Sequence, residues 1–172
     1  VIPGHQVVGT VEALGDGSHR FAMGDRIGVA WLQHTCGRCE YCRGGKENLC
    51  EDSRFTGYHR PGGYAELIVV PEDFAYAIPE VFSDTEAPPL LCAGIIGYRS
   101  LKRSQCRPGQ VLALYGFGSS AHIVIQIARH WGCSVYVGSS GPRPASQGGN
   151  PGPCGYLHDV HPRDGLRDSP VP

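Results

Sequence analysis

The feature that most restricts the fold of this chain is a run of four closely spaced cysteines. They follow the spacing C-x2-C-x2-C-x7-C and are Cys36, Cys39, Cys42 and Cys50. Four thiolates at these intervals let a short loop enclose one tetrahedral ion, and a structural zinc site leaves no coordination position for water. The spacing therefore predicts a zinc lobe over 34–54, with two disulfides or merely clustered thiols as the alternatives. Three glycines suit the tight turns of such a loop because glycine tolerates positive φ, namely Gly37, Gly44 and Gly45.

The composition is that of a globular chain without a strong charge bias. It has 172 residues, 41% of them hydrophobic, and 15 Lys+Arg stand against 16 Asp+Glu. This balance gives no overall attraction to nucleic acid or anionic membranes, and no apolar run approaches the roughly 18 residues of a membrane span. Four of the eight cysteines have metal spacing and the rest are scattered, which suits a reducing compartment. We therefore expect a cytoplasmic protein whose partner is a small molecule, not nucleic acid or a membrane.

The first half of the chain is rich in strand-like segments. Residues 6–14, 26–31, 64–70 and 75–78 have β-forming side chains and are bounded by glycine or proline turns. No helical period connects them, so we predict a small β-barrel or sandwich over 1–83, from which the zinc lobe projects.

The pattern changes at about residue 84. The capping sequence Ser83-Asp-Thr-Glu86 precedes an Ala/Leu-rich segment that predicts a helix over 90–102, with Cys92 at its start. An apolar run at 111–115 predicts a buried parallel strand, and a helix follows in which Ile123, Ile127 and Trp131 share one face. A second strand over 134–137 completes a β-α-β unit, so 84–140 is interpreted as the start of a dinucleotide-binding domain.

The turn between this strand and helix is a candidate cofactor site. It has the pattern G-x-G-x-x-A, and its candidate binding residues are Gly116, Gly118, Ser119, Ser120 and Ala121. Such a turn lets backbone N–H groups at a helix N-terminus meet a pyrophosphate, although a β-α turn without a ligand is the alternative. The second strand ends in 138–140 without the acidic residue usual for NAD, while Arg143 nearby could meet the 2′-phosphate of NADP.

Two further residues become candidate metal ligands only when the other motifs are considered with them. His5 precedes a strand and Cys92 begins a helix, and each alone would be interpreted as a structural residue. A catalytic zinc, however, uses three protein ligands and an open position. His5 and Cys92 could supply two of these ligands.

The combined motifs resemble the zinc-dependent medium-chain alcohol dehydrogenases. The resemblance extends from Pro3-Gly-His5 through the cysteine lobe, Gly62-Gly-Tyr-Ala-Glu66, the Cys92 segment and the glycine turn to about Val137. It implies an α+β or α/β chain: a GroES-like β-barrel domain with a zinc lobe, then a Rossmann unit. It also implies oxidation of an alcohol to an aldehyde or ketone with NAD or NADP, in an enzyme whose subunits form homo-oligomers through the cofactor domain.

The same resemblance implies roles for the metal-binding residues. His5 and Cys92 would be catalytic zinc ligands, and Cys36, Cys39, Cys42 and Cys50 the structural set. In the family mechanism the ion binds the substrate oxygen as a Lewis acid and favours the alkoxide, from which hydride passes to the nicotinamide.

The sequence departs from the family pattern in three places. The family's first catalytic ligand, a cysteine followed by Thr or Ser, would lie before Val1. Gln6 replaces the usual Glu after the ligand histidine. The segment 141–172 holds seven of the fourteen prolines and shows neither helical nor strand period, so we expect a disordered tail from a shifted reading frame or unrelated fusion. An in-frame coding sequence for an intact homologous domain would contradict that interpretation.

Three other functional classes are alternatives to this one. A nucleic-acid-binding zinc module would need a basic face, yet 34–54 holds four basic and four acidic residues. A zinc-independent quinone reductase would lack the cysteine lobe and the pair of His5 and Cys92. A non-catalytic zinc-binding remnant of a dehydrogenase is the main alternative to an active enzyme.

Overall fold

The computed structural model describes residues 1–139 and 156–160. The chain forms two compact units, Val1–Cys92 and Ala93–Pro172. The division follows Cys92, inside the helical segment, whereas the sequence places its change of character at about residue 84. Within the described residues no helix is long and apolar enough to cross a membrane.

The first unit is built mainly from short antiparallel strands. They are β1 (Val7–Thr10), β2 (Arg26–Val29), β3 (Leu32–His34), β4 (Arg54–Phe55) and β5 (Ala75–Ala77). One sheet has the order β1-β2-β5, and β3 pairs with β4 in a second sheet. The GroES-like β character is thus present, but the strands of this unit form two open sheets and not the predicted closed barrel.

One predicted strand is absent. Residues 64–70 have the β-forming composition of a strand but lie in irregular backbone, with Tyr64, Leu67 and Val69 exposed. No described strand pairs with this segment, and a β-strand needs a partner for its backbone N–H and C=O groups. The prediction was wrong because β propensity measures side-chain fit to a sheet and does not supply the neighbouring strand.

The helical segment after residue 83 starts with a capping box. The Ser83 backbone N–H donates to Glu86 Oε2 at 3.0 Å, and the Glu86 N–H donates to Ser83 Oγ at 3.3 Å. The segment continues as three consecutive pieces: a short α-helix (Ala87–Pro89), a π-helical turn (Leu90–Gly94) and a longer α-helix (Ile95–Arg103). We label the lobe helix Glu40–Arg43 α1, and the two α-helices here α2 and α3. The predicted helix is therefore present, interrupted by a wider turn at Cys92.

The helical segment packs closely on β2 within the first unit. Gly28 in β2 lies close to Leu91 of this segment, since a Cβ atom there would lie 2.8 Å from Leu91 Cδ1 and 2.6 Å from Ile78 Cδ1. The Arg26 guanidinium also donates to Asp84 Oδ1, from Nη2 at 2.7 Å and from Nε at 2.9 Å. These contacts hold the start of the helical segment against the sheet and so fix the position of Cys92.

The second unit contains the predicted β-α-β arrangement. Strand β6 (Val111–Tyr115), helix α4 (Ser119–His130) and strand β7 (Ser134–Ser139) follow in order, and β6 and β7 are parallel with Val111 opposite Ser134. The core of the unit joins α3, both strands and α4, and includes Leu101, Leu112, Val124, Ile125, Ala128, Val135 and Val137. The predicted apolar face of α4 is shifted: Ile127 and Trp131 lie at the edge of this core, whereas Val124 and Ala128 are fully buried.

One further strand lies within the part of the chain for which we predict disorder. Strand β8 (Tyr156–Val160) pairs antiparallel with β7. The prediction of disorder does not hold for these five residues, because the free edge of β7 offers unpaired backbone groups that a short non-proline stretch can satisfy. The remainder of 141–172 lies outside the described residues.

Candidate functional site

The four cysteines of the lobe come together in space. Their sulfur atoms all lie within 4.8 Å of one another. The separation is 3.5 Å between the sulfurs of Cys39 and Cys42 and 4.0 Å between those of Cys36 and Cys42. Four thiolates at the Zn–S distance of about 2.3 Å in a tetrahedron have sulfurs about 3.8 Å apart. The donor set and its spacing therefore fit one tetrahedral metal ion.

Local backbone geometry produces this cluster. Cys39 immediately precedes α1 and Cys42 lies three residues further on, so one helical turn brings both thiols to the same side. Gly37 and Gly45 adopt φ values of +69° and +65°, which confirms the expectation of tight turns at these two glycines. Gly44, with φ of −92°, needs no such freedom.

The electrostatic environment differs among the four thiols. Backbone N–H groups of Arg38 and Cys39 donate to the Cys36 sulfur and lower its pKa to about 6. Desolvation, followed by the hydrogen bond with Cys39, raises the pKa of Cys42 to about 11. One thiol is thus largely ionised at neutral pH and another is protonated. A metal ion would have to displace the Cys42 proton, as is usual for thiolate ligands.

A second pair of predicted ligands also meets in the structure. His5 Nε2 lies 3.4 Å from Cys92 Sγ, although 87 positions separate the two residues. Two ligands on one tetrahedral zinc, with Zn–N near 2.0 Å and Zn–S near 2.3 Å, have donor atoms about 3.5 Å apart. Cys92 lies in the π-helical turn, a distortion frequently found at functional sites. The geometry suits a shared ion and equally a direct hydrogen bond.

The described residues do not complete this second site. Among them, the lobe cysteines are the one group of three or more His, Cys, Asp or Glu ligand atoms close enough to hold an ion. His5 and Cys92 therefore have no third ligand of these types within residues 1–139. The position of the pair is compatible with the two-ligand part of a catalytic zinc site.

A backbone cradle made largely of glycine positions His5. Residues 2–4 lie directly against 62–64, and the Gly62 N–H donates to the carbonyl oxygen of Ile2 at 2.7 Å. A Cβ atom at Gly62 would overlap the carbonyl oxygen of Gly4, and one at Gly57 would lie 2.9 Å from the same atom. The sequence pattern predicts a turn before a strand at the Gly62-Gly63 pair. Its actual role is to admit the chain that carries His5.

The glycine turn of the second unit has the geometry of the predicted cofactor site. Gly116 adopts φ of +87°, and its N–H donates to the carbonyl oxygen of Gly138 at 2.6 Å. Gly118 directly precedes α4, and no side chain caps the N-terminus of this helix. The N–H groups of Ser119, Ser120 and Ala121 belong to the first turn of the helix, where no acceptor exists within the helix itself. These N–H groups are the ones that would meet an anionic ligand.

Two side chains beside this turn were missed in the sequence. The rings of Phe117 and His122 stack with centroids 4.1 Å apart and an angle of 34° between their planes. His122 Nδ1 also lies 2.9 Å from the carbonyl oxygen of Gly118. The four-residue spacing from Gly118 to His122 is the sequence signal that could have indicated this contact. Arg143, the residue suggested for a 2′-phosphate, lies outside the described residues.

The chain is similar to known proteins of one family. Residues 1–80 match the alcohol dehydrogenase GroES-like domain. The probable alcohol dehydrogenase AdhA of Mycobacterium tuberculosis is 54% identical over 148 residues, which are 83% of this chain and 43% of that protein. This chain belongs to the alcohol dehydrogenase family. The sequence-based recognition of zinc-dependent medium-chain alcohol dehydrogenases is thereby confirmed.

Solved structures of alcohol dehydrogenase relatives agree with the two-part architecture. CAD from Helicobacter pylori, in complex with NADP(H), matches with a TM-score of 0.73 and 32% identity over 79% of this chain and 42% of its own. A cobalt- and zinc-bound alcohol dehydrogenase from Pyrobaculum aerophilum matches with a TM-score of 0.71 and 31% identity over 79% and 41%. The GroES-like plus Rossmann arrangement is confirmed. The chain spans about two fifths of the length of these relatives.

Proposed function

We propose that this chain carries the zinc-binding part and the first cofactor-binding part of an alcohol dehydrogenase. The reaction is oxidation of a small alcohol to an aldehyde or ketone, with hydride transfer to NAD or NADP. The observation that carries this proposal is the 3.4 Å approach of His5 Nε2 to Cys92 Sγ across 87 sequence positions. The glycine cradle positions His5, and the π-helical turn positions Cys92. Such separate support for each ligand is expected of a site whose side chains must be placed accurately.

The residues of the chain have separable tasks in this reaction. His5 and Cys92 would hold a zinc ion, which supplies a Lewis acid for the substrate oxygen when bound. Cys36, Cys39, Cys42 and Cys50 form a closed set of four ligands and stabilise the lobe. The exposed position of His5 leaves its ligand atom reachable from solvent, as a substrate site requires.

The turn at the start of α4 would bind the cofactor. Its first N–H groups and the positive end of the helix dipole favour the pyrophosphate shared by NAD and NADP. Gly118 has no atom within 4 Å of the place where a Cβ would project, so the space above the turn is open to a ligand. The NADP(H) bound by the Helicobacter pylori relative supports this class of cofactor.

A non-catalytic zinc-binding remnant remains the second candidate. The observation in its favour is that residues 1–139 offer His5 and Cys92 no third ligand. The two candidates differ in the number of zinc ions held. The remnant needs one ion in the cysteine lobe, whereas the dehydrogenase part needs a second at His5 and Cys92.

Elemental analysis of the purified chain, after removal of loosely bound metal, tests the proposal. A ratio near two zinc ions per chain that falls to one in His5→Ala would support it. A ratio near one that His5→Ala leaves unchanged would favour the remnant. Cys39→Ser is the matched control, because it removes a ligand from the lobe and leaves His5 and Cys92 intact.

Fluorescence titration with NADH and with NADPH tests the cofactor assignment. Gly118→Ala should weaken binding at least about tenfold, because the new methyl group occupies the path of the pyrophosphate. Gly118 has φ of −90°, so alanine brings no backbone strain and the melting temperature should stay unchanged. Gly9→Ala, also in open space, is the control and should leave cofactor affinity unaltered. Equal affinities in all three proteins would refute the assignment.

A further inference from the structure

Two cysteines outside the candidate site lie side by side in the second unit. The Sγ atoms of Cys106 and Cys133 are 3.9 Å apart, although 27 positions separate the residues. Cys133 is buried with 5% exposure, and Cys106 is half-buried at the edge of the same core. One thiol is therefore reachable from solvent and the other lies directly behind it.

The surrounding backbone keeps the two thiols together. Both point toward the carbonyl oxygen of Arg107, at 3.8 Å from Cys106 and 3.4 Å from Cys133. The loops that carry them are joined by hydrogen bonds on either side, from Gly109 N–H to Trp131 O at 2.9 Å and from Ser134 N–H to Gln110 O at 3.0 Å. The proximity of the thiols is thus a consequence of the fold and not of one side-chain rotamer.

The geometry allows a covalent bond with little rearrangement. A disulfide has an S–S length of about 2.05 Å, so the sulfurs must approach by about 2 Å. Both residues lie in irregular backbone, Cys106 between α3 and β6 and Cys133 directly before β7. Rotation about side-chain bonds and small loop shifts can supply this movement without distorting a helix or strand.

We infer that Cys106 and Cys133 form a reversible disulfide that braces the β-α-β unit under oxidising conditions. The oxidant is a low-molecular-weight disulfide, such as oxidised glutathione. The Cys106 thiolate attacks one sulfur of the oxidant and releases one thiolate, which leaves a mixed disulfide on Cys106. The Cys133 thiolate then attacks Cys106 Sγ and releases the second. The two protein thiols lose two protons and two electrons, and the oxidant becomes two thiols.

The location of the bond separates it from the cofactor turn. Cys106 and Cys133 lie at the amino ends of the parallel strands β6 and β7, whereas Gly116 and Gly118 lie at the carboxyl end of β6. The bond would close a loop containing β6 and α4, which reduces the freedom of the unfolded chain. Desolvation, followed by the hydrogen bond with Cys133, raises the pKa of the Cys106 thiol. Exchange then depends on the proximity of the second thiol.

The test is oxidation of the zinc-loaded, full 172-residue chain with glutathione mixtures. Free thiols are alkylated, the protein is digested with trypsin, and the peptides are identified by mass spectrometry. Arg129 lies between Cys106 and Cys133, so the two cysteines fall in separate tryptic peptides. We expect a cross-linked pair lighter by two hydrogens than the sum of its parts, and a melting temperature higher than that of the reduced chain by on the order of 10 °C. Reduction with dithiothreitol should reverse both changes.

Single-residue variants identify which two cysteines form the disulfide. Cys154→Ser removes the other cysteine that trypsin leaves in the Cys133 peptide, and the cross-link should persist in it. Cys106→Ser should abolish both the cross-link and the redox dependence of the melting temperature. Because Cys106 is half-buried, this variant is expected to fold even where Cys133→Ser does not. The inference is overturned by a stable glutathione adduct on Cys106 without closure, by a cross-link that survives in Cys106→Ser, or by no cross-link at all.

Discussion

Replacing Gly62 by alanine should severely destabilise the first unit. A Cβ atom at this position would overlap the carbonyl oxygen of Gly4 and lie 2.7 Å from that of Pro3. Both obstacles are backbone atoms, which cannot move away by changing a rotamer. The segment that carries His5 would therefore have to separate from residues 62–64.

The expected loss of unfolding free energy follows from this overlap. Inserting a methyl group into a well-packed site typically costs about 1–3 kcal/mol. The displacement also weakens the hydrogen bond from Gly62 N–H to Ile2 O, which contributes roughly 1 kcal/mol. We expect a loss of about 3 kcal/mol of unfolding free energy. For a unit of this size, that corresponds to a fall in melting temperature of roughly 10–20 °C.

Thermal unfolding followed by circular dichroism, at saturating zinc, measures this change. Gly9→Ala is the control, because a Cβ atom there has nothing within 4 Å and the unit otherwise stays the same. Zinc bound by the four lobe cysteines should be retained in Gly62→Ala, since none of the disturbed contacts involves the lobe. A melting temperature within about 2 °C of that of Gly9→Ala would show that the cradle does not constrain the His5 segment.

Three further predictions concern separate features. Gln105 has a φ of 58°, so Gln105→Gly should raise the unfolding free energy measured in urea by about 1 kcal/mol, whereas Ser100→Gly inside α3 should lower it by a similar amount. The hydrogen bonds from Ser83 lower the pKa of Glu86 below its ordinary value of 4.5. They therefore stabilise the folded state above that pH, and the effect is lost as the pH falls through the lowered pKa. The stability difference between the native chain and Glu86→Gln should accordingly shrink from pH 7 to pH 3, and a constant difference would contradict this prediction. Cys50→Ser should abolish zinc binding by the lobe, measured by elemental analysis, because this buried ligand closes the set of four.

Local patterns predicted the elements whose partners are close in sequence. The cysteine spacing spans 36–50, so the ligands meet through one short loop with a single helical turn, and the structure brings them together as expected. The strand at 111–115, the glycine turn and α4 were predicted for the same reason, since an apolar strand followed by an amphipathic helix is defined by its own periodicity. The strand was predicted to be buried, however, and in the structure Leu112 is buried whereas Val111 and Tyr115 are exposed. In these cases the local preference and the final fold agree.

The differences between the predicted and the observed strands arise from long-range contacts. Residues 64–70 have the composition of a strand but no neighbouring strand among the described residues, so their β propensity has no ladder to join. The five residues of β8 carry a weak pattern, yet the free edge of β7 pairs with them. Both outcomes depend on which backbone edge is available, and no local sequence window contains that information.

The four-cysteine lobe, the β-α-β unit and the family can be predicted without the structure, because each depends on residue types at short, fixed spacings. Two features depend on the folded structure alone: Gly62 forms the cradle beneath the His5 segment, and Cys106 lies beside Cys133. The meeting of His5 with Cys92 is implied in the sequence only through the resemblance to the family, and the structure supplies its 3.4 Å geometry. The physical reason is that such pairs are formed by packing between distant segments. Their geometry is set by the sheets and helices that intervene, not by the residues themselves.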